Sequence, residues 1–98
     1  MGDFPPPGGS TNRQPVTLAD ITMTGAVQPL PNAACDKVTV VALPTNDGTR
    51  FIRVGDANIG ANQGTPLSPG TPCDFQVSNL AYIYYYGTAP DKISVTYT

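Results

Sequence analysis

The chain has 98 residues, of which eleven are Pro and ten Gly, and all seven acidic residues are Asp. Pro and Gly break helices, and Asp and Thr form them poorly, so this composition excludes a helical bundle and favours strands. With no His there is no imidazole ligand or ready proton shuttle, and a net charge of −2 argues against a nucleic-acid surface.

In chain order, residues 1–24 read as an extended, Pro-rich N-terminal arm. Phe4 is its first large apolar side chain after Met1. Pro5, Pro6 and Pro7 impose polyproline geometry, and Gly8 and Gly9 loosen it. Residues 16–24 are more apolar, with Leu18 and Ile21, but their alternation is imperfect and the strand assignment is left open. Fully extended, 24 residues span up to ~80 Å. A compact domain formed by residues 25–98 has a radius of gyration near ~11 Å, so the arm reaches past its own domain.

From Ala26 onward turns recur every ~8–12 residues, the rhythm of a β-sandwich or barrel. Residues 26–30 predict a short edge strand closed by Pro29 and Pro31. Residues 36–43 predict the strongest strand; both of its faces are partly apolar, so it is expected to be central or covered on both sides. A turn at Pro44, Thr45, Asn46, Asp47 and Gly48 precedes a strand over residues 50–55. Residues 56–70 predict a long loop anchored by Ile59 and Leu67. Cys73, Phe75 and Val77 alternate with polar residues on a half-buried strand. A break at Asn79 precedes a strand over residues 80–87, and Ile93, Val95 and Tyr97 share one face of the last strand, residues 92–98. The expected fold is all-β, a small antiparallel sandwich (domain 25–98) preceded by the arm (1–24).

About 74 residues bury little more than ~60% of their unfolded surface, so such a domain is marginal as a monomer. Oligomerisation is the expected remedy. The most distinctive cluster is Tyr82, Tyr84, Tyr85 and Tyr86. On an extended strand Tyr82, Tyr84 and Tyr86 share one face, and Ile83 and Tyr85 the other. If Ile83 faces the core, three tyrosines face outward, and Tyr suits interfaces because it joins a large ring to a polar tip. A subunit or partner contact, a stacking platform for sugars and cross-strand packing all remain open.

Asp47, Asp56 and Asp91 lie in turns without the D-x-D-x-D spacing or terminal Glu of a calcium loop, and read as turn formers. Arg50 and Arg53 read as solvated edge charges. Residues 55–70 hold no phosphate-binding pattern. No catalytic, cofactor-binding or metal-ligating residue is expected, and the chain is not expected to be an enzyme. No stretch approaches a membrane helix, and the N-terminus lacks a secretory pattern. Cys35 and Cys73 form no C-x-x-C, and whether they pair is left open.

The run at residues 27–40, the turn at 43–49, Ile-Arg-Val-Gly-Asp-Ala-Asn-Ile at 52–59, Gly-Thr-Pro-Leu-Ser-Pro-Gly at 64–70 and Asn-Leu-Ala-Tyr-Ile-Tyr at 79–84 together resemble small structural domains of tailed-bacteriophage virions. The resemblance covers about 70 residues from 27 to the C-terminus and leaves out the arm. It rests on the order of these turns, each of which is generic alone. It implies a β-sandwich, often jelly-roll-like, and a capsid decoration ("cement") protein, a homotrimer on the outer surface of the phage capsid after synthesis in the host cytoplasm. The expected partners are further copies of the chain and the major capsid protein, with no nucleic acid and no membrane. Related domains occur in head fibres and tails, so a receptor- or glycan-binding module is the alternative. The residues expected at a subunit or capsid interface are Phe4, Pro5, Pro6, Pro7, Leu18, Ile21, Tyr82, Tyr84 and Tyr86.

Overall fold

A computed structural model describes residues 14–98. Among the described residues, nine short strands form two antiparallel sheets: β1 (Val16–Thr17), β2 (Ile21–Thr22), β3 (Gln28–Pro29), β4 (Val38–Ala42), β5 (Ile52–Gly55), β6 (Thr65–Leu67), β7 (Pro72–Phe75), β8 (Tyr84–Tyr86) and β9 (Lys92–Tyr97). The first sheet runs β1-β9-β4-β7, with β2 also on β9; the second runs β3-β8-β5-β6. The pairings are nested, β2 with β9, β3 with β8, β4 with β7 and β5 with β6. Pairs β4–β9 and β5–β8 then close each sheet.

The strand period explains the core. On β4, Val38, Val40 and Ala42 are fully buried, while Thr39 and Val41 are half-buried on the other face. They meet Ile93 and Val95 of β9 in the same sheet, and Ile52, Val54, Leu67 and Tyr85 from the second sheet, in one apolar cluster. Both sheets therefore share a single core, in a sandwich-like arrangement. Ile59 and Leu67, the expected anchors of the long loop, are buried. That loop also contributes a strand, β6, which Pro66 conceals from the sequence because Pro disfavours strand interiors.

The expected boundary between residues 24 and 25 does not describe the chain. Val16 and Thr17 pair with Tyr97 and Thr96, Ile21 and Thr22 pair with Ile93 and Lys92, and Met23 is buried. From Thr17 to Ile21 the chain advances four residues while β9 advances three, from Thr96 to Ile93. The extra residue is a β-bulge, and it brings both Leu18 and Ile21 against the core, where a regular strand would place them on opposite faces. The bulge is why alternation fails there. Phe4, Pro5, Pro6 and Pro7, the expected gripping residues, lie outside the described residues.

Every edge strand carries an interruption. Pro29 lies on β3, Pro66 on β6 and Pro72 on β7, and the β1/β2 edge is bulged; the four inner strands contain no Pro. Pro cannot donate to a further ladder, and bulges twist an edge away, so these edges discourage pairing with another strand.

Beneath the second sheet, Gly87 is buried, and a Cβ there would stand 2.7 Å from Met23 Cγ and 3.1 Å from Ile52 Cγ1. A side chain at this position would collide with the core that holds the β2 end in place.

Candidate functional site

The two outer faces differ in chemistry. On the first sheet, register sets Thr17, Thr96, Thr39 and Asp74 in one row and Ser94, Val41 and Pro72 in the next. Thr39 Oγ1 donates to Asp74 Oδ1 at 2.7 Å. This face is mostly hydroxyls, which water solvates well.

The second sheet's outer face is aromatic. Pro29, Tyr84 and Gly55 stand side by side in one row, and Tyr86, Arg53 and Pro66 in the next. Phe51, two residues before Arg53, is 54% exposed, and the Arg53 guanidinium carbon lies 6.0 Å from its ring centroid. That distance is at the outer limit of a cation–π contact. Arg53 Nη1 donates to the Gly64 carbonyl at 2.9 Å, which anchors the side chain, and no carboxylate among the described residues forms an ion pair with it. Gly64 itself takes φ +114°, and a Cβ there would meet Ile59 Cγ2 at 2.8 Å, so this anchor point needs Gly.

The expected Tyr ladder is realised in part. Ile83 and Tyr85 turn inward, and burial pushes the Tyr85 hydroxyl pKa up. Tyr84 and Tyr86 stand half-buried on the outer face. Tyr82 is not on that strand: it ends a one-turn 3₁₀ helix, Leu80–Tyr82, and is 63% exposed. Asn79 forces the turn. Its side-chain oxygen accepts from Ala81 N (2.9 Å) and Ala33 N (3.2 Å), and its Nδ2 donates to Asn32 Oδ1 (2.8 Å). The residue types there signal a break, but not that the break would absorb the first Tyr. Leu18 and Ile21, expected to touch a partner, are half-buried and pack against the chain's own core.

No protein-family model, curated protein or solved structure matches this chain.

A second constellation lies at the opposite end of β8 from the 3₁₀ turn, in a cleft of about 420 Å³ lined by Asp20, Asn46, Asp47, Arg50, Asp91 and Lys92, among others. Four of these side chains, Asn46, Asp47, Arg50 and Asp91, have polar partners at this end of the molecule. Asp91 is buried and accepts from Arg50 Nε at 2.9 Å, Arg50 Nη2 at 3.2 Å and the Asp47 amide at 3.1 Å. The Arg50 hydrogen bonds hold the Asp91 carboxyl below the ordinary Asp range, and the Asp47 amide and the Arg50 charge add to this against the opposing effect of burial. Asn46 behaves as one more rung of sheet: its Nδ2 donates to the Lys92 carbonyl and its Oδ1 accepts from the Lys92 amide, both at 2.8 Å. These contacts latch the 43–50 turn to the 88–92 turn. Arg50, expected to be a solvated edge charge, is thus the partner of a buried carboxylate 41 residues away, a pairing no local pattern announces.

Asp47 and Asp56 are turn formers as expected. Asp47 Oδ1 accepts from the Thr49 amide and hydroxyl, and Asp56 Oδ1 from the Asn58 amide. Among the described residues no group of three His, Cys, Asp or Glu is placed to hold a metal ion. Cys35 and Cys73 are thiols; the Cys35 thiol donates to the Val77 carbonyl at 3.2 Å, and burial pushes the Cys73 thiol pKa up.

Proposed function

We propose that this chain is an adhesive structural protein, a capsid decoration protein of jelly-roll type that stabilises a phage head by bridging adjacent major capsid proteins as a homotrimer on the outer capsid surface. The observation that carries the reading is the aromatic outer face of the second sheet. Among the described residues, three of the four exposed large hydrophobics, Val27, Phe51 and Tyr82, sit on or beside that sheet. Exposed aromatic rings beside the half-buried Tyr84 and Tyr86 make this face a candidate contact surface, and Tyr and Arg are the residue types that dominate such contacts.

Two further features support it. The nested pairings and the strand orders β1/β2-β9-β4-β7 and β3-β8-β5-β6 fit the double Greek key of a jelly roll, an architecture used in viral capsid and lectin domains. The Pro-interrupted edges leave faces, rather than edges, as the route to a partner. Adhesion through several copies gains from multivalency, since each bound contact makes the next one intramolecular.

The test compares heads assembled with and without the chain. Bound chain is expected to raise the temperature at which heads burst, and equal burst temperatures would contradict the reading. The exposure of Tyr82 also favours a second reading, a glycan-binding module of a fibre or tail, because an open ring can stack on a sugar. Under that reading Tyr84→Ala abolishes polysaccharide binding and leaves assembly intact. Under the decoration reading the same change weakens assembly.

A further inference from the structure

The aromatic face has a chemical match within the chain's own sequence. Residues 3–7 read Asp-Phe-Pro-Pro-Pro. Consecutive Pro residues favour a pre-set polyproline helix, and such segments dock on aromatic-lined surfaces because little entropy remains to be lost on binding. A charge beside the Pro run then fixes its placement on the surface. Here Asp3 supplies a carboxylate, and Arg53 stands between Tyr86 and Pro66 with no carboxylate of the described residues to meet it.

We propose that residues 3–7 of one copy lie across the outer face of the second sheet of another copy, with the Pro run against Tyr82, Tyr84 and Tyr86 and Asp3 against Arg53. The inference deepens, and rests on, the self-assembling reading above. Reach allows it. Val16 pairs with Tyr97, at the end of the molecule where Ala34 bridges Asn79 and Asp36 donates to Thr98, so the chain enters beside the 3₁₀ turn that carries Tyr82. Eight residues separate Pro7 from Val16 and extend to about 28 Å, well beyond the ~10 Å between packed sheets. Insertion as an added strand is disfavoured, because Pro29, Pro66 and Pro72 and the β1/β2 bulge interrupt the edges. Val16 lies on the first sheet, whereas the aromatic face belongs to the second, and mixing two isotopic forms of the chain distinguishes a neighbour's face from the segment's own.

The test uses full-length chain carrying a benzophenone amino acid in place of Phe4, mixed and co-assembled with isotopically heavy full-length chain, then irradiated. Cross-links are expected between light residue-4 peptides and heavy peptides spanning residues 51–53 or 82–86, in proportion to the mixing ratio. Tyr84→Ala in the heavy chain is expected to cut their yield about tenfold, the loss that follows from about 1.4 kcal/mol of binding, while Tyr84→Phe retains it. Cross-links confined to one chain overturn the proposal, as do cross-links to other surfaces or none at all. A light-scattering mass on the same sample separates the two ideas. An oligomer whose cross-links fall elsewhere sinks this inference alone, and a monomer sinks the assembly reading with it.

Discussion

Replacing Val40 by Ala tests which face of β4 is the core. Val40 is fully buried between Val95 of β9 and Cys73 of β7. The change removes two carbons, worth about 1.6 kcal/mol at roughly 0.8 kcal/mol per buried methylene. A residual void on the order of 40 Å³ adds about 1 kcal/mol. The sum of about 2.5 kcal/mol lowers Tm by about 10–20 °C in a domain of this size. Val41→Ala, one residue along, removes the same atoms from the half-buried outer face, where no closed void forms. There the cost is under about 1 kcal/mol, within the range of strand preference and partial burial. Urea unfolding at one fixed protein concentration measures both, because any self-association adds to apparent stability. Similar losses at the two positions would refute the two-face assignment, since a register slip of one residue exchanges the faces.

Gly87→Ala brings a Cβ to within 2.7 Å of Met23 Cγ and is expected to cost about 1–3 kcal/mol by overpacking, read as a lower urea midpoint; Met23→Ala in the same chain should recover part of the loss by making room. For Asp91 the folded carboxyl titrates below its ordinary value near ~3.9. Its stabilisation is therefore complete above that unfolded value and disappears as pH falls through the lower folded one. Unfolding midpoints of Asp91→Asn between about pH 2 and 6 should lie below the parent at the upper end and converge with it at the acid end; parallel curves would show that the latch does not titrate. Pro66→Thr restores an amide to the β6 edge and should increase light scattering over time at an unchanged urea midpoint, and stable clear solutions would remove the edge-protection argument.

The strand core was legible because period-2 alternation survives wherever one face is buried. Residues 36–43, 50–55 and 92–98 contain β4, β5 and β9, and Ile59 and Leu67 were anchors for the reason expected. Three things were not legible. The bulge between Thr17 and Ile21 scrambles alternation, so an integral edge strand reads as arm. Pro66 disguises β6, because a Pro tolerated at an edge looks like a loop residue. The Arg50–Asp91 pair and the Asn79 cap depend on partners 41 and 46 residues distant, which spacing along the chain does not encode. Of the candidate site, the outward pair Tyr84 and Tyr86 followed from parity with Ile83. Arg53 and Phe51 joined that face only through the β5–β8 register.

The claim that adhesion resides in the aromatic face is tested most directly by co-sedimentation with heads assembled without the chain. Three full-length proteins are compared: the parent, a variant with Tyr82, Tyr84 and Tyr86 changed to Ala, and a variant with Thr39 and Thr96 changed to Ala on the opposite face. The parent and the Thr variant should pellet with the heads while the Tyr variant stays in the supernatant. A Tyr variant that pellets as the parent does, with the Thr variant left behind, would contradict the account.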